Sequence, residues 1–242
     1  KFSDLLNEAK KIGADALATG HYAIRKGSLN NASLHKAKDF TKDQSFFLFA
    51  TQQEQLNYVR FPLGDFKKKE IRKLAEKYKL SVSDKPDSQD ICFVTSDSYR
   101  DLVKNLNPSV NKKGIIYDED NNILGTHNGI SNYTIGQRKG IGISGSKQAL
   151  YVIEINKDHN SITLGTKEKL KKNVINFKNI NWLGGNILPK GLDCSAKIRS
   201  TQEDLPGILD INSDRGTFTF EADLDKTSPG QACVFYKNDQ LL

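Results

Sequence analysis

The spacing of apolar residues changes near residue 114, and this change constrains the fold more than any other feature of the sequence. Before it, segments with helical spacing, at 2–12 and 67–78, alternate with short strand-like runs such as 16–19. After it, glycine is frequent and short runs of alternating apolar and polar residues dominate. The first pattern is typical of α/β structure and the second of β-rich domains.

The chain has 242 residues, which is enough for two or three small domains. A polar stretch at 107–113 has the composition of a linker. We therefore predict an α/β domain at 1–107, a small β-rich central domain at 108–168 and a C-terminal β-barrel at 169–242. The strand-like runs after the linker are 114–117, 149–153, 161–164, 193–200, 216–221 and 231–236.

Composition and charge exclude several classes of protein. Hydrophobic residues make up 37% of the chain, so a wholly disordered protein is excluded, and no apolar run approaches the ~18 residues of a membrane-spanning helix. Lys and Arg total 36 against 29 Asp and Glu, and this surplus of +7 favours polyanionic partners, although solvated lysines give the same surplus. Three cysteines and no signal peptide predict a cytoplasmic protein with no membrane partner.

The first candidate site follows the strand-like run 16–19. Gly20 and His21 come directly after it, and ligands in open α/β sheets bind at the carboxyl ends of strands. Glycine at such a position lets a ligand approach the backbone closely. A hydrogen-bonded structural histidine explains His21 equally well.

The second candidate site is Lys42-Asp43-Gln44, which precedes the apolar run 46–49. We predict a helix here that is capped by Thr41 or Asp43. The start of a helix can bind phosphate through free backbone N–H groups, and Lys42 would add positive charge. A capped surface helix without a ligand is the alternative.

Cys92 is the candidate nucleophile. Its thiolate could attack a substrate or carry a second sulfur, although a free thiol has a pKa of about 8.5 and needs local help to ionise. A buried structural cysteine between Ile91 and Phe93 is the alternative. Cys194 and Cys233 lie in strand-like alternation and are assigned to the core, and without a Cys-x-x-Cys pair or a Cys/His cluster we predict no metal site.

A glycine-rich stretch at 133–142 combines Tyr133 with the adjacent cations Arg138 and Lys139. Arg and Lys can hold phosphates while an aromatic ring stacks on a base. A β-turn with solvated charges is the alternative.

Taken in chain order, these segments closely resemble the bacterial tRNA-specific 2-thiouridylases, the MnmA/TrmU family. Each motif alone is weak, but together they cover nearly the whole chain. The shared motifs are Gly13-Ala14-Asp15, Ala18-Thr19-Gly20-His21-Tyr22-Ala23, Lys42-Asp43-Gln44-Ser45, Phe61-Pro62-Leu63-Gly64, Asp87-Ser88-Gln89, Ile91-Cys92-Phe93, Gly125-Thr126-His127-Asn128-Gly129, the run 133–142, Tyr151-Val152-Ile153, Ser228-Pro229-Gly230-Gln231 and Val234-Phe235-Tyr236.

The resemblance implies a fold and a reaction. The fold is part of a Rossmann-like PP-loop ATP pyrophosphatase domain, a small central β-rich domain and a β-barrel similar to those of translation factors. The reaction uses ATP, with Mg²⁺ expected, to adenylate the C2 oxygen of the wobble uridine U34 in tRNA. Sulfur from a cysteine persulfide then replaces that oxygen. The expected partners are tRNAs for Lys, Glu and Gln and a cysteine desulfurase or sulfur relay protein.

The resemblance also implies roles for single residues. By matching position, Cys92 carries the persulfide, Gly20 contacts ATP and His21 contacts tRNA. The other expected tRNA contacts are Lys42, Asp43, Gln44, Arg199, Ser200 and Gln231.

Two parts of the family pattern are missing from this sequence. The Ser-Gly-Gly-Val-Asp-Ser-type loop that holds the ATP phosphates is absent, and so is the first catalytic cysteine. We therefore expect this chain to be a fragment that does not complete the reaction alone. A non-catalytic RNA-binding module and another PP-loop adenylating enzyme are the alternative functions.

Overall fold

The computed structural model describes residues 2–80, 112–143, 145, 148–224 and 227–242, which form two compact units. Unit 1 comprises Lys1–Pro86, Val174–Glu221 and Gln231–Leu242. Unit 2 comprises Asp87–Asn173 and Ala222–Gly230. Cys92 lies outside the described residues.

Among the described residues of unit 1 there are three α-helices: α1 (Asp4–Lys11), α2 (Gln53–Tyr58) and α3 (Lys68–Lys77). Helix α1 confirms the helix predicted at 2–12: it buries Leu6 and Ala9 and is followed by Gly13 at a positive φ of 73°. Helix α3 confirms the helix predicted at 67–78. Both helices could be predicted because the spacing of their apolar residues is a pattern between residues that are close in sequence.

The helix predicted after Lys42 is confirmed only as a short 3₁₀-helix. The chain forms two single-turn 3₁₀-helices there, Phe40–Lys42 and Ser45–Leu48, and neither N-cap residue, Asp39 or Gln44, makes a side-chain capping hydrogen bond. Asp43 between them has an extended backbone (φ −55°, ψ 127°), which interrupts any continuous helix. The backbone N–H of Gln44 donates to the carbonyl of Tyr22 and that of Ser45 to the Asp43 carboxylate, so neither group is free to hold a phosphate.

A two-stranded parallel sheet joins β1 (Leu17–Ala18) to β4 (Val59–Arg60). The run predicted at 16–19 is thus confirmed as a strand. Its carboxyl end opens towards Gly20 and His21, as the sequence predicted. This sheet and the three helices are the described α/β part of the chain.

An eight-stranded sheet contains most of the remaining strands of unit 1. Its order is β2-β3-β14-β13-β10-β11-β12-β9, and none of the described sheets closes on itself as a barrel. Its strands are β2 (Ile24–Lys26), β3 (Ser33–His35), β9 (Lys172–Lys178), β10 (Leu192–Lys197), β11 (Leu205–Asn212), β12 (Arg215–Leu224), β13 (Val234–Lys237) and β14 (Gln240–Leu241).

Strands from both ends of the chain meet in this sheet. Leu34 of β3 pairs with Leu241 of β14, and both side chains are buried in the same core as Tyr236. Leu56 and Val59 from the α/β part belong to that core as well. One hydrophobic core therefore joins the beginning of the chain to its C-terminal strands.

Unit 2 contains a four-stranded sheet of order β6-β5-β8-β7. The strands are β5 (Gly114–Tyr117), β6 (Ile123–His127), β7 (Tyr151–Asn156) and β8 (Ser161–Gly165). The runs predicted at 114–117, 149–153 and 161–164 are confirmed, whereas β6 was not predicted. Ile116, Val152 and Leu164 lie at the centre of its core.

In the parts of the chain that the structure describes, no helix is both long enough and apolar enough to cross a membrane.

Candidate functional site

Gly20 lies at the carboxyl end of β1 with its backbone exposed. The preceding Thr19 N–H donates to the Arg60 carbonyl at 3.0 Å, which extends the parallel pairing by one residue. A Cβ added at Gly20 would meet only Leu63 Cδ1 at 3.8 Å, an ordinary contact. Packing therefore does not require glycine here, and close approach of a ligand is a sufficient reason for it.

His21 is held in one orientation by its neighbours. Its Nδ1 lies 2.9 Å from Thr19 Oγ1. Its ring packs edge-on against Phe2 at 5.8 Å and Phe61 at 6.2 Å between centroids. The residue is half-buried, so His21 is a hydrogen-bonded structural histidine, which was the alternative for it in the sequence analysis. A pre-oriented ring is also suited to contact a ligand at the end of β1.

Gln44 ties the second candidate segment to the first. Its side-chain Oε1 accepts from the Tyr22 N–H at 2.9 Å, and its own N–H donates to the Tyr22 carbonyl at 2.8 Å. This pair of bonds places Gln44 beside the 19–22 segment. The structure thus brings together two segments that the sequence placed about twenty residues apart.

Asp43 is occupied inside the protein. Its Oδ1 accepts from the backbone N–H groups of Ala37 (2.9 Å) and Ser45 (3.2 Å), and its Oδ2 accepts from the Ser45 hydroxyl at 2.7 Å. Because the single Ser45 hydroxyl proton is used there, the Tyr236 hydroxyl donates to Ser45 Oγ across 3.1 Å. Ser45 and Tyr236 are fully buried, and burial raises the pKa of Tyr236 above its ordinary value.

Lys36 also contacts Tyr236. Its Nζ lies 4.5 Å from the centroid of the Tyr236 ring and 2.6 Å from Asp204 Oδ1. The Ser195 hydroxyl donates to the other oxygen of Asp204. Burial alone would raise the pKa of Asp204, but the bonds from Lys36 and Ser195 outweigh it and hold that pKa below its ordinary value.

These groups form one connected set that we call the Tyr236 network. Both carboxylates of this network accept hydrogen bonds, and its two buried hydroxyls are hydrogen-bonded to each other. Buried polar groups require such partners. Its members are Lys36, Asp43, Ser45, Ser195, Asp204 and Tyr236.

The predicted contacts of the C-terminal strands lie at one end of that sheet. Arg199 and Ser200 follow β10, and the Gln202 N–H donates to the Arg199 carbonyl at 3.2 Å, which closes the turn. Lys197 pairs with Val234, so Gln231 leads into β13 at the same end at which β10 finishes. Asp204 ends this turn, and the Tyr236 network therefore reaches from the turn to the 42–44 segment.

The other two cysteines, Cys194 and Cys233, lie in the C-terminal part of the chain. Both Cys194 and Cys233 are free and partly buried. Burial raises the pKa of Cys194 to about 11 and that of Cys233 to about 12. Thiols with such values stay protonated near neutral pH. The core position predicted for these cysteines is not confirmed, because both are only partly buried.

In the glycine-rich stretch 133–142, Tyr133 is half-buried. The Tyr133 hydroxyl donates to the Ile141 carbonyl at 3.4 Å, and its ring packs at 5.7 Å from that of His127. Arg138 and Lys139 are exposed. The ring thus takes part in the packing of unit 2, and the interpretation of this loop as a base and phosphate contact stays a prediction.

Within the described ranges, no group of three His, Cys, Asp or Glu side chains could hold a metal ion. The expected Mg²⁺ therefore stays a prediction.

Three known domain families match the chain in succession. Residues 1–96 match a "tRNA methyl transferase HUP domain", residues 101–166 a "tRNA methyl transferase PRC-barrel domain" and residues 172–242 an "Aminomethyltransferase beta-barrel domain". The order of a HUP domain followed by a PRC-barrel and a β-barrel domain agrees with the α/β-plus-β class predicted from the sequence.

Curated relatives match the whole chain. The tRNA-specific 2-thiouridylases MnmA of Ehrlichia ruminantium and Neorickettsia sennetsu are 48% and 44% identical to it over 100% of its length. The chain belongs to the MnmA family. It spans 65% of the length of these two relatives, and the MnmA of Dinoroseobacter shibae is 45% identical over 99% of the chain and 63% of its own length.

Four members of the Tyr236 network were not singled out from the sequence of this MnmA family member. Lys36, Ser195, Asp204 and Tyr236 come from three separate segments, and Lys36 and Asp204 are 168 positions apart. No short sequence pattern predicts such a pairing. Tyr236 belongs to one of the motifs that carry the family resemblance, and this was the available signal.

Two tyrosines give a matched test of the network. The Tyr22 hydroxyl is buried without a hydrogen-bond partner among the described residues, whereas that of Tyr236 is bonded to Ser45. We predict that Tyr236→Phe lowers the free energy of unfolding by about 1 kcal/mol, and that Tyr22→Phe leaves it unchanged or raises it. Urea denaturation of the two variants checks this, and equal losses in both would contradict it.

Proposed function

We propose that the protein to which this chain belongs is a tRNA-uridine 2-sulfurtransferase that converts the wobble uridine U34 of tRNA to 2-thiouridine. The observation that carries the proposal is the 44–48% identity, along the whole chain, to proteins named tRNA-specific 2-thiouridylase MnmA. The reaction needs an activated C2 oxygen, a soft sulfur nucleophile and exclusion of water. ATP supplies an adenylyl group that turns this oxygen into a leaving group.

For ATP, the proposed contact among the described residues is Gly20. Gly20 offers an exposed backbone at the carboxyl end of a parallel strand, where a side chain is not needed for packing. This is the position at which nucleotides bind in related α/β sheets. We propose Gly20 as an ATP contact, with Mg²⁺ accompanying the phosphates.

For tRNA, the proposed contacts are His21, Lys42, Asp43, Gln44, Arg199, Ser200 and Gln231. All of them lie in unit 1. Hydrogen bonds link the first segment to the second through Gln44, and the Tyr236 network links the second to the turn that ends at Asp204. A single-stranded anticodon loop exposes its bases, so contacts from several rigid segments can read one extruded uridine.

Asp43 and Gln44 act mainly by position in this proposal. Their side chains already accept hydrogen bonds from backbone groups, which fixes the course of the chain beside them. Lys42 is exposed on the preceding turn and brings positive charge to the phosphates.

For sulfur, we propose that Cys92 carries the persulfide, loaded by a cysteine desulfurase or a sulfur relay protein. The expected substrates are the tRNAs for Lys, Glu and Gln, and the reaction takes place in the cytoplasm. The raised pKa of each of the other two thiols supports Cys92 as the sulfur carrier.

The first prediction of this function concerns Cys92. Replacing it with Ser in the gene that encodes the chain removes the atom that carries sulfur, so 2-thiouridine disappears from cellular tRNA. Mass spectrometry of digested tRNA measures the modified nucleoside. Cys194→Ser is the matched control and keeps thiolation, since that thiol is partly buried and protonated. Persistence of 2-thiouridine in the Cys92→Ser cells would make Cys92 a packing residue.

The second prediction separates binding from folding at two glycines. Gly20→Ala keeps stability within about 0.5 kcal/mol of the parent and weakens ATP binding about tenfold or more, because the new methyl group occupies ligand space. Gly64→Ala places its Cβ in a steric clash with the Ala23 carbonyl oxygen and costs about 1–3 kcal/mol of stability. Thermal unfolding and ATP titration of the natural gene product measure both effects. Unchanged ATP affinity in Gly20→Ala would exclude the assignment.

A further inference from the structure

A basic and aromatic surface lies in unit 1, next to the 42–44 segment. It is formed by two short segments, 38–42 and 64–69, that are joined by two hydrogen bonds, one between backbone groups and one to a side chain. The Lys38 N–H donates to the Gly64 carbonyl at 2.9 Å, and the Lys68 N–H donates to Asp39 Oδ2 at 2.9 Å. The second bond also satisfies a backbone donor at the start of α3. The two segments therefore form one fixed surface.

Two phenylalanines are exposed on this surface. Phe40 has 69% of its surface accessible and Phe66 has 38%. Phe40 sits in the same 3₁₀ turn as Lys42. Phe66 is two residues before Lys68, whose ammonium group lies 5.1 Å from the centroid of the Tyr22 ring. An exposed ring that is held by a tied backbone loses little conformational freedom when it stacks on a ligand.

Positive charge surrounds these rings. The two segments contain five lysines and two aspartates, a surplus of three positive charges. Lys38, Lys67 and Lys69 are exposed. Asp39 is engaged with the Lys68 N–H and the Thr41 hydroxyl, while the exposed Asp65 is the second acidic group.

Exposed aromatic rings with lysines around them are the chemistry that binds unpaired RNA. A ring can stack on any base, and ammonium groups can contact the phosphates on both sides of that base. We propose that this surface binds an RNA strand: Phe40 stacks on an unpaired base, and Lys38, Lys67 and Lys69 hold its phosphates. The proposal rests on the proposed function, since the RNA is the substrate tRNA, and it extends the interface beyond the residues assigned above.

The test uses fluorescence anisotropy with the natural gene product and an anticodon stem-loop RNA that contains U34. We expect Phe40→Ala to weaken binding about tenfold, the usual loss for one stacked base. Phe40→Tyr, which keeps the ring, binds like the parent. Phe40→Leu, which keeps the bulk but not the ring, binds like Phe40→Ala. Ile187→Ala is the matched control, since Ile187 is an exposed apolar side chain (84%) that belongs to neither segment.

The lysines are tested by the salt dependence of the same binding. The double change Lys67→Gln and Lys69→Gln lowers the slope of log Kd against log salt by about 1–2, because up to two phosphate contacts are lost. Lys171→Gln with Lys172→Gln removes the same charge from exposed positions outside the two segments and leaves the slope within about 0.5 of the parent.

The outcomes separate this inference from the proposed function. If Phe40→Ala and the Lys67/Lys69 double variant bind like the parent while His21→Ala binds weakly, the surface is not an RNA site and the proposed function stands. If the parent binds the stem-loop no better than oligouridylate of equal length, both are wrong. Circular dichroism checks that each variant is folded, which is expected for the exposed Phe40, Lys67 and Lys69. The check is essential for His21→Ala, because His21 is half-buried.

Discussion

The ion pair between Lys36 and Asp204 holds together two segments that are 168 positions apart in the sequence. Only 14% and 23% of these two side chains are exposed, so water screens the pair much less than an ion pair at the surface. Its position beside the Tyr236 ring fixes the turn after β10 against the segment that follows β3. The relative placement of the proposed tRNA contacts depends on this arrangement.

Several proposed contacts also stabilise the fold. Asp43 accepts three hydrogen bonds, Gln44 exchanges two with Tyr22, and His21 packs between two phenylalanines. Removing any of them disturbs the scaffold as well as the surface. Loss of activity alone therefore does not identify a binding residue here, and the exposed positions, Gly20 and Phe40, give cleaner information.

Local patterns allowed part of this structure to be predicted. Helices α1 and α3 and strands β5, β7 and β8 of unit 2 follow from apolar periodicity, because the residues that define them are neighbours in sequence. The interruption at Asp43 could not be predicted in this way, since the Asp43 carboxylate accepts from the Ala37 N–H, a partner outside the helical register. The pairing of β3 with β14 joins residues about two hundred positions apart, and no short pattern encodes it.

The candidate site, like the fold, could be predicted only in part from the sequence. Its position at the end of β1 followed from the strand-then-glycine pattern, and the single-residue roles came from the family resemblance. The Tyr236 network was missed because a lysine, a serine and an aspartate in separate segments are unremarkable until the fold brings them to one tyrosine. Because the polar groups of these residues are buried, each needs a hydrogen-bond partner within the network.

A double-mutant cycle on Lys36 and Asp204 tests the central claim most directly. The free energy of unfolding is measured for the parent, Lys36→Met, Asp204→Asn and the double variant at pH 7. We predict a coupling energy of at least about 1.5 kcal/mol, above the ~0.2–1 kcal/mol of exposed pairs. Because the folded pKa of Asp204 is depressed, its contribution is present above the ordinary aspartate value of about 3.9 and is lost as the pH falls through the lower folded value. A coupling below about 0.5 kcal/mol at pH 7 would show that this pair does not hold the two segments together.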